Sequence, residues 1–250
     1  MRTAILTDIH ANREALTACL AYAARAGAHR YAFLGDLVGY GADPAWVVST
    51  VTDYAERGAI AVLGNHDAAV VHGPSKTMNP AAQRVAAWTR GQLDDAHLRF
   101  LSALPLTHEH EDELYVHANA WAPHAWGYVE SAMEARRSLQ ATHCRYTFCG
   151  HVHEPALYHL AQDGRAVHFK PEPGVAIPLG ALRRWLAIPG SVGQPRDGVP
   201  AACYALFDDA QRTLTYHRVP YDFESAAAKI RAAGLPETFV VLLGDESDAR

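Results

Sequence analysis

Four short apolar segments, residues 3–7, 31–34, 59–63 and 146–149, each run straight into a cluster of polar donors. The clusters are Asp8-Ile9-His10, Gly35-Asp36, Gly64-Asn65-His66-Asp67 and Gly150-His151-Val152-His153. Segments this short and apolar read as buried strands. An ionisable group left alone at the end of such a strand costs on the order of several kcal/mol. The chain must therefore bring these ends together and give them a common partner. Parallel strands do this by releasing their loops along one edge of a sheet, the edge at which α/β folds bind ligands. In extended backbone, residues i and i+2 point the same way, which pairs Asp8 with His10 and His151 with His153. A glycine before each of the last three clusters permits a sharp turn on a crowded rim.

Helical patterns lie between the segments. Asn12 reads as the N-cap of a helix to Ala26, stopped by Gly27, and Asp43-Pro44 opens a second that ends at Gly58. Asn79-Pro80 opens a third to about Gln92, and residues 94–103 continue the helical pattern. The alternation predicts a largely parallel sheet covered on both faces. Hairpin patterns then take over: 107–111 with 113–118, 157–161 with 166–169, and 202–207 with 213–219. Helices at 130–140 and 222–233 complete the pattern, and the proline-rich stretch 171–178 reads as a surface loop. Residues 1–250 read as a single α/β domain of two packed sheets.

Charge and composition narrow the partners. The chain carries 22 Lys and Arg against 27 Asp and Glu, a formal net charge of −5, with no basic block. That argues against long nucleic acid as a partner. No apolar run reaches the roughly 18 residues of a membrane span, and Asp8 and His10 interrupt the apolar start before it reaches signal-peptide length. Cys19, Cys144, Cys149 and Cys203 form no C-x-x-C pair and fit buried thiols in a reducing cytoplasm, so a cytoplasmic protein is expected.

The strand-end clusters offer Asp8, His10, Asp36, Asn65, His151 and His153, and His117 ends the apolar segment 113–116. This mixture of nitrogen and oxygen donors, without thiolate, suits manganese, iron or zinc, with manganese first, rather than a calcium cage or a thiolate-rich zinc site. The donors outnumber what one ion uses once it also holds water. Two divalent ions sharing a bridging carboxylate use them all.

The order of these clusters resembles the calcineurin-like metallophosphoesterase superfamily. Its D-x-H, G-D, G-N-H-[DE], later H and G-H-x-H motifs are met by Asp8/His10, Gly35-Asp36, Gly64-Asn65-His66-Asp67, His117 and Gly150-His151-Val152-His153. The run Pro189-Gly190-Ser191-Val192-Gly193-Gln194-Pro195-Arg196 is similar to a loop of the small prokaryotic phosphodiesterase branch. The resemblance implies a four-layer α-β-β-α sandwich of two mixed sheets flanked by helices. It implies a dinuclear centre with Asp8, His10 and His153 on one ion, Asn65, His117 and His151 on the other, and Asp36 bridging. The implied activity is hydrolysis of a phosphodiester or nucleotide-type substrate by in-line attack of metal-bound hydroxide, with no phosphoenzyme. His66 would protonate the leaving alkoxide or steady the phosphoryl oxygens. The expected partner is a small phosphoester, with no membrane involved and no oligomeric state specified. The alternatives are a phosphomonoesterase or protein phosphatase and, further off, a non-catalytic protein-interaction scaffold, which would be free to lose donors that are all present here.

One stretch departs from the pattern. In the protein phosphatases of the superfamily the G-D motif continues to a second Asp and an Arg, and here Gly39 and Tyr40 stand in those places. His66 then lacks its usual partner unless Asp43, Asp67 or a water takes over. Tyr40 reads as a stacking surface for substrate or as a lid over the core. Arg196 reads as a phosphate contact behind a Gly-Ser-Val-Gly loop whose amides form an anion-binding nest. Trp121, His124 and Trp126 are candidates for a pocket wall, and the remaining histidines read as packing or surface.

Overall fold

The apolar segments become strands of two six-stranded mixed sheets. In the computed structural model, which describes residues 1–74, 78 and 80–241, the first sheet runs β3 (Ile60–Ala61), β2 (Arg30–Phe33), β1 (Arg2–Leu6), β11 (Ala202–Asp208), β12 (Thr213–Val219), β9 (Ala176–Pro178). The second runs β4 (Thr107–His110), β5 (Glu113–Val116), β6 (Tyr146–Phe148), β10 (Arg184–Ile188), β7 (Ala156–Leu160), β8 (Ala166–Phe169). Strands β1, β2 and β3 are mutually parallel, as are β5, β6 and β10. The remaining pairings are antiparallel.

Strand alternation builds the layers. Along β1, Ala4 and Leu6 face the helices while Ile5 faces the other sheet. The core between the sheets sets Ile5, Leu34, Phe207 and Tyr216 against Tyr115, Phe148, Leu157 and Trp185. Outside the first sheet lie α1 (Arg13–Arg25) and α2 (Pro44–Glu56), and outside the second lies α6 (Ala132–Gln140), which buries Ala135 and Leu139. The first sheet is thus covered by helices on one face only, because its other face meets the second sheet. The result is the four-layer α-β-β-α sandwich rather than a sheet with helices on both sides.

The helix starts follow the sequence in part. Asn12 caps α1, its Oδ1 accepting from Ala15 N at 3.0 Å. Asp43 precedes Pro44 but makes no cap bond, its carboxylate being taken by Lys229. The pattern continues through α4 (Pro80–Gly91), α5 (Asp95–Ala103), α7 (Phe223–Ala232) and α8 (Thr238–Val241). Asn79, the expected start of α4, lies outside the described residues. Residues 176–178 pair with β12 as a strand inside what reads as a loop. The cluster after β3 is not a loop either: α3 (Asn65–His72) begins at its first donor. Among the described residues no helix is long and apolar enough to cross a membrane, and all four cysteines are buried free thiols.

Candidate metal centre

All seven sequence-predicted donors meet where the carboxyl ends of β1, β2, β3, β5 and β6 converge. Asp8, His10, Asp36, His151 and His153 have φ of 53°, 49°, 50°, 70° and 67°. This left-handed region costs a non-glycine residue roughly 1–3 kcal/mol and concentrates at functional sites. The extended i, i+2 argument therefore holds for Asp8 with His10 but fails for His151 with His153, which fall into separate donor groups, because each segment leaves its strand and curls through the left-handed region instead of staying extended. Backbone bonds lace the curls together, Asp8 N donating to Gly35 O at 3.1 Å and His10 N to Asp36 O at 2.9 Å.

The ligand atoms fall into two groups. Those of Asp8, His10, Asp36 and His153 lie within 4.8 Å of one another, as do those of Asp36, His117 and His151. Asp36 belongs to both. His10 Nε2 is 3.1 Å from His153 Nε2, which is 3.3 Å from Asp8 Oδ1. On the other side His117 Nε2 is 3.4 Å from Asp36 Oδ2, 3.0 Å from Asn65 Oδ1 and 3.2 Å from His151 Nδ1. Every donor but the half-buried Asn65 is buried.

Backbone carbonyls orient the four rings. Nδ1 of His10, His117 and His153 points at Val38 O, Leu34 O and Gln194 O at 3.2, 2.7 and 2.7 Å, and His151 Nε2 points at Trp126 O at 3.0 Å. A carbonyl only accepts, so the proton sits on that nitrogen, and in a neutral ring the opposite nitrogen turns its lone pair inward. Two such lone pairs 3.1 Å apart, on His10 and His153, repel unless positive charge lies between them. The carboxylates ask for the same charge. Burial opposes protonation of His117, yet Asp36 and Asp8 push it up to about 9. Burial would raise Asp36, but His117, His66 and His10 hold it well below the usual carboxylate range. The donor set fits divalent cations.

His66 sits against this centre. Its amide donates to Asp36 Oδ1 at 2.8 Å, and its ring lies 5.0 Å edge-on from His10 and 4.4 Å from Tyr40. Burial holds its pKa below the ordinary value, with Asp36 opposing. Neither candidate carboxylate orients it. Asp67 accepts from Val38 N at 3.1 Å and Gly64 N at 3.0 Å, and Asp43 accepts from Lys229 at 2.6 Å. Gly39 has φ +90°, and a Cβ there would meet His66 Nδ1 at 2.6 Å. The ring of His66 occupies the space that a side chain at 39 would fill.

The loop at 189–196 is not an anion nest. Two of its amides are spent on the backbone of the centre, Val192 N donating to Thr7 O at 3.0 Å and Gly193 N to Asp8 O at 2.9 Å, and a third stays within the loop, Gln194 N donating to Ser191 Oγ at 2.8 Å. The loop braces Asp8 and, through Gln194 O, aims His153. Arg196 is exposed beyond it, donating to Gln194 Oε1 at 3.0 Å. Its charge acts on the hydroxyls of Tyr40, which burial pushes up to about 12 against it, and of Tyr128. Tyr40 itself packs on Phe239 at 4.7 Å as well as on His10 and His66, so it both covers the core and faces the centre.

Of the expected wall, Trp126 lines the cavity over the centre, whereas Trp121 lies under Arg137 and His124 is exposed. Sequence reasoning missed Tyr128, whose ring lies flat on His151 at 4.0 Å and 12°. It also missed His72, which lines the same cavity. Tyr128 carried one faint signal, an aromatic two residues after Trp126 in the loop that follows His117.

Comparison with known proteins agrees with this geometry. The family model described as the calcineurin-like phosphoesterase superfamily domain matches residues 1–212. The chain is similar to an uncharacterized protein of Methanocaldococcus jannaschii, 32% identical over 244 residues that cover 94% of this chain and 93% of that one. A metallophosphoesterase from Sphaerobacter thermophilus superimposes with a TM-score of 0.86 at 36% identity, covering 97% of this chain and 98% of its own. A hypothetical protein from Pyrococcus horikoshii shares the fold, with a TM-score of 0.77 at 18% identity over 97% of each chain. With its motifs converging in family order and the family match spanning most of its length, the chain belongs to the calcineurin-like phosphoesterase superfamily.

Proposed function

We propose that the protein is a metal-dependent phosphoesterase acting on a phosphodiester or nucleotide-type substrate, with its residues forming one catalytic domain. Two divalent ions, manganese first, would be held by Asp8, His10 and His153 and by Asn65, His117 and His151, with Asp36 shared. The observation that carries this reading is the place of Asp36 in both donor groups. When bound, two such ions neutralise phosphate charge and lower the pKa of water from 15.7 toward about 7.

The chain's own residues supply the rest. Arg196 has no carboxylate within ion-pair distance among the described residues, so its guanidinium is available to the non-bridging oxygens of a phosphate. The hydroxyls of Tyr40 and Tyr128, on which that guanidinium acts, are further donors at the same rim. His66 lines the cavity over the centre, where its ring N–H reaches the oxygen of a departing alcohol. The name of the Sphaerobacter relative, a metallophosphoesterase at 36% identity, supports the same reading.

Hydrolysis of bis-p-nitrophenyl phosphate and of p-nitrophenyl phosphate, each with Mn²⁺-loaded protein, tests the proposal. The diester rate is expected to dominate. A dominant monoester rate overturns the diester preference, and no turnover of either ester favours a scaffold.

A further inference from the structure

Two cavities meet at Tyr128. The first, about 500 Å³, contains Asn65, His66 and His151 and is walled by Tyr40 and Trp126. The second, about 590 Å³, is lined by Val152, Tyr158, His168, Lys170 and Arg196. Both lie within the roughly 300–1,000 Å³ of small-molecule sites. One step along the chain separates them, since His151 faces the first and Val152 the second. Tyr128 lines both, and its contact with His151 fixes it as the partition. His66 lines only the first.

The second cavity has the makings of a seat for a flat, polar ring. Tyr158 and His168 present neighbouring rings 4.7 Å apart at 31°, and buried Val129 and Ile188 supply apolar surface. Lys170 and Arg196 bring two cations with no ion pair among the described residues. Of the acids on the wall, Asp197 is tied to Arg218, while Glu130 and Glu154 are exposed to solvent. A phosphomonoester would leave this cavity idle. A phosphate at the centre with one ester arm on each side of Tyr128 would fill both.

We propose that the second cavity seats the retained arm of a phosphodiester, an arm of nucleoside size ending in a heteroaromatic ring, while the leaving arm lies beside His66 in the first. This rests on the phosphoesterase reading above and names its substrate class. In the reaction an oxygen of water bonds to phosphorus as the bond to the leaving oxygen breaks. The leaving arm departs as an alcohol carrying one proton of that water. The retained arm keeps the phosphate as a monoester, next to Arg196.

The test compares thymidine 5′-(p-nitrophenyl phosphate) with methyl p-nitrophenyl phosphate on the metal-loaded full chain. These diesters share a leaving group and differ only in the retained arm. The wild-type protein should prefer the thymidine ester by about tenfold or more in kcat/KM, the scale on which a filled pocket discriminates. His168→Ala and, separately, Lys170→Glu should collapse that ratio toward one, with melting temperatures checking that both variants fold. No preference in the wild type, an unchanged ratio, or an equal fall for both esters overturns the proposal. Calorimetric titration with the thymidine ester separates the two readings. If neither ester turns over, the esterase reading falls, yet weaker binding in His168→Ala still supports the seat and unchanged binding overturns it.

Discussion

Asp36 gives Oδ1 to the His66 amide and turns Oδ2 toward His10 at 3.7 Å and His117 at 3.4 Å, so one carboxylate faces both donor groups. Asp36→Asn keeps the shape and the acceptor for His66 but removes the negative charge. It is expected to lower the content of both metals together, measured by elemental analysis of Mn²⁺-reconstituted protein. Retention of either ion at the wild-type level would contradict a shared ligand. Gly39 makes a different demand on its neighbourhood. Alanine there meets His66 Nδ1 and must also hold φ near +90°, which costs a non-glycine residue about 1–2 kcal/mol. Gly39→Ala should therefore lower the melting temperature and displace His66 while sparing the metal donors. The expected kinetic outcome is a fall in kcat with metal content held, a split that general loss of structure would not give.

At the scale of elements, legibility followed locality. Helix α1 was readable because Asn12 and Gly27 are short-range signals, and the strand-end clusters were readable because each is contiguous in sequence. Strand β10 was not, although it is central in the second sheet. Its five residues become a strand only by pairing with β6 on one side and β7 on the other, partners distant in the chain. The same holds for residues 189–196, where a local reading of glycines suggested an anion nest. Distant carbonyls of Thr7 and Asp8 consume two of the amides instead. Tyr128 escaped notice because stacking on His151 depends on where two loops meet. Helix α7 illustrates a long-range tie that also yields a prediction. Lys229 donates to Glu14 at 2.5 Å and Asp43 at 2.6 Å, joining α7 to α1 and to the start of α2. Burial lowers its pKa, but the two carboxylates outweigh that and raise it above 10.5. A lysine raised in the fold stabilises fully below its ordinary value and loses that contribution as pH rises through the raised one. Since the ammonium is partly exposed, solvent screening limits the gain to about 1 kcal/mol. Lys229→Met should melt lower than wild type by a constant margin from pH 7 to 10, a difference expected to shrink as pH climbs past 10.5 toward the raised value.

Across the whole molecule the sandwich separates its two ends. The candidate metal donors gather at the carboxyl ends of the parallel strands, and at the opposite end a polar clasp spans the sheets. Arg30, at the start of β2, donates to Glu113 Oε2 at 2.7 Å and Thr3 Oγ1 at 2.9 Å, and the Tyr115 hydroxyl donates to the same carboxylate. Burial raises the pKa of Glu113, and Tyr115 and Arg30 restrain the rise. Arg30→Met removes the cation while Glu113 stays buried, so the carboxyl must rise further. A carboxyl raised in the fold is harmless below its unfolded value of about 4.5, costs progressively more as pH climbs from there to the raised value, and carries the full cost above it. The variant should therefore match wild type in thermal melts near pH 4 and fall behind by about 1–3 kcal/mol at pH 8. A strand of four residues at about 3.3 Å each sets this clasp about 13 Å from His117. Metal content and kcat are thus expected to stay at the wild-type level while stability drops. A parallel loss of metal would mean that the two ends of the sandwich are coupled through β5, and that the centre depends on the far edge of the fold for its shape.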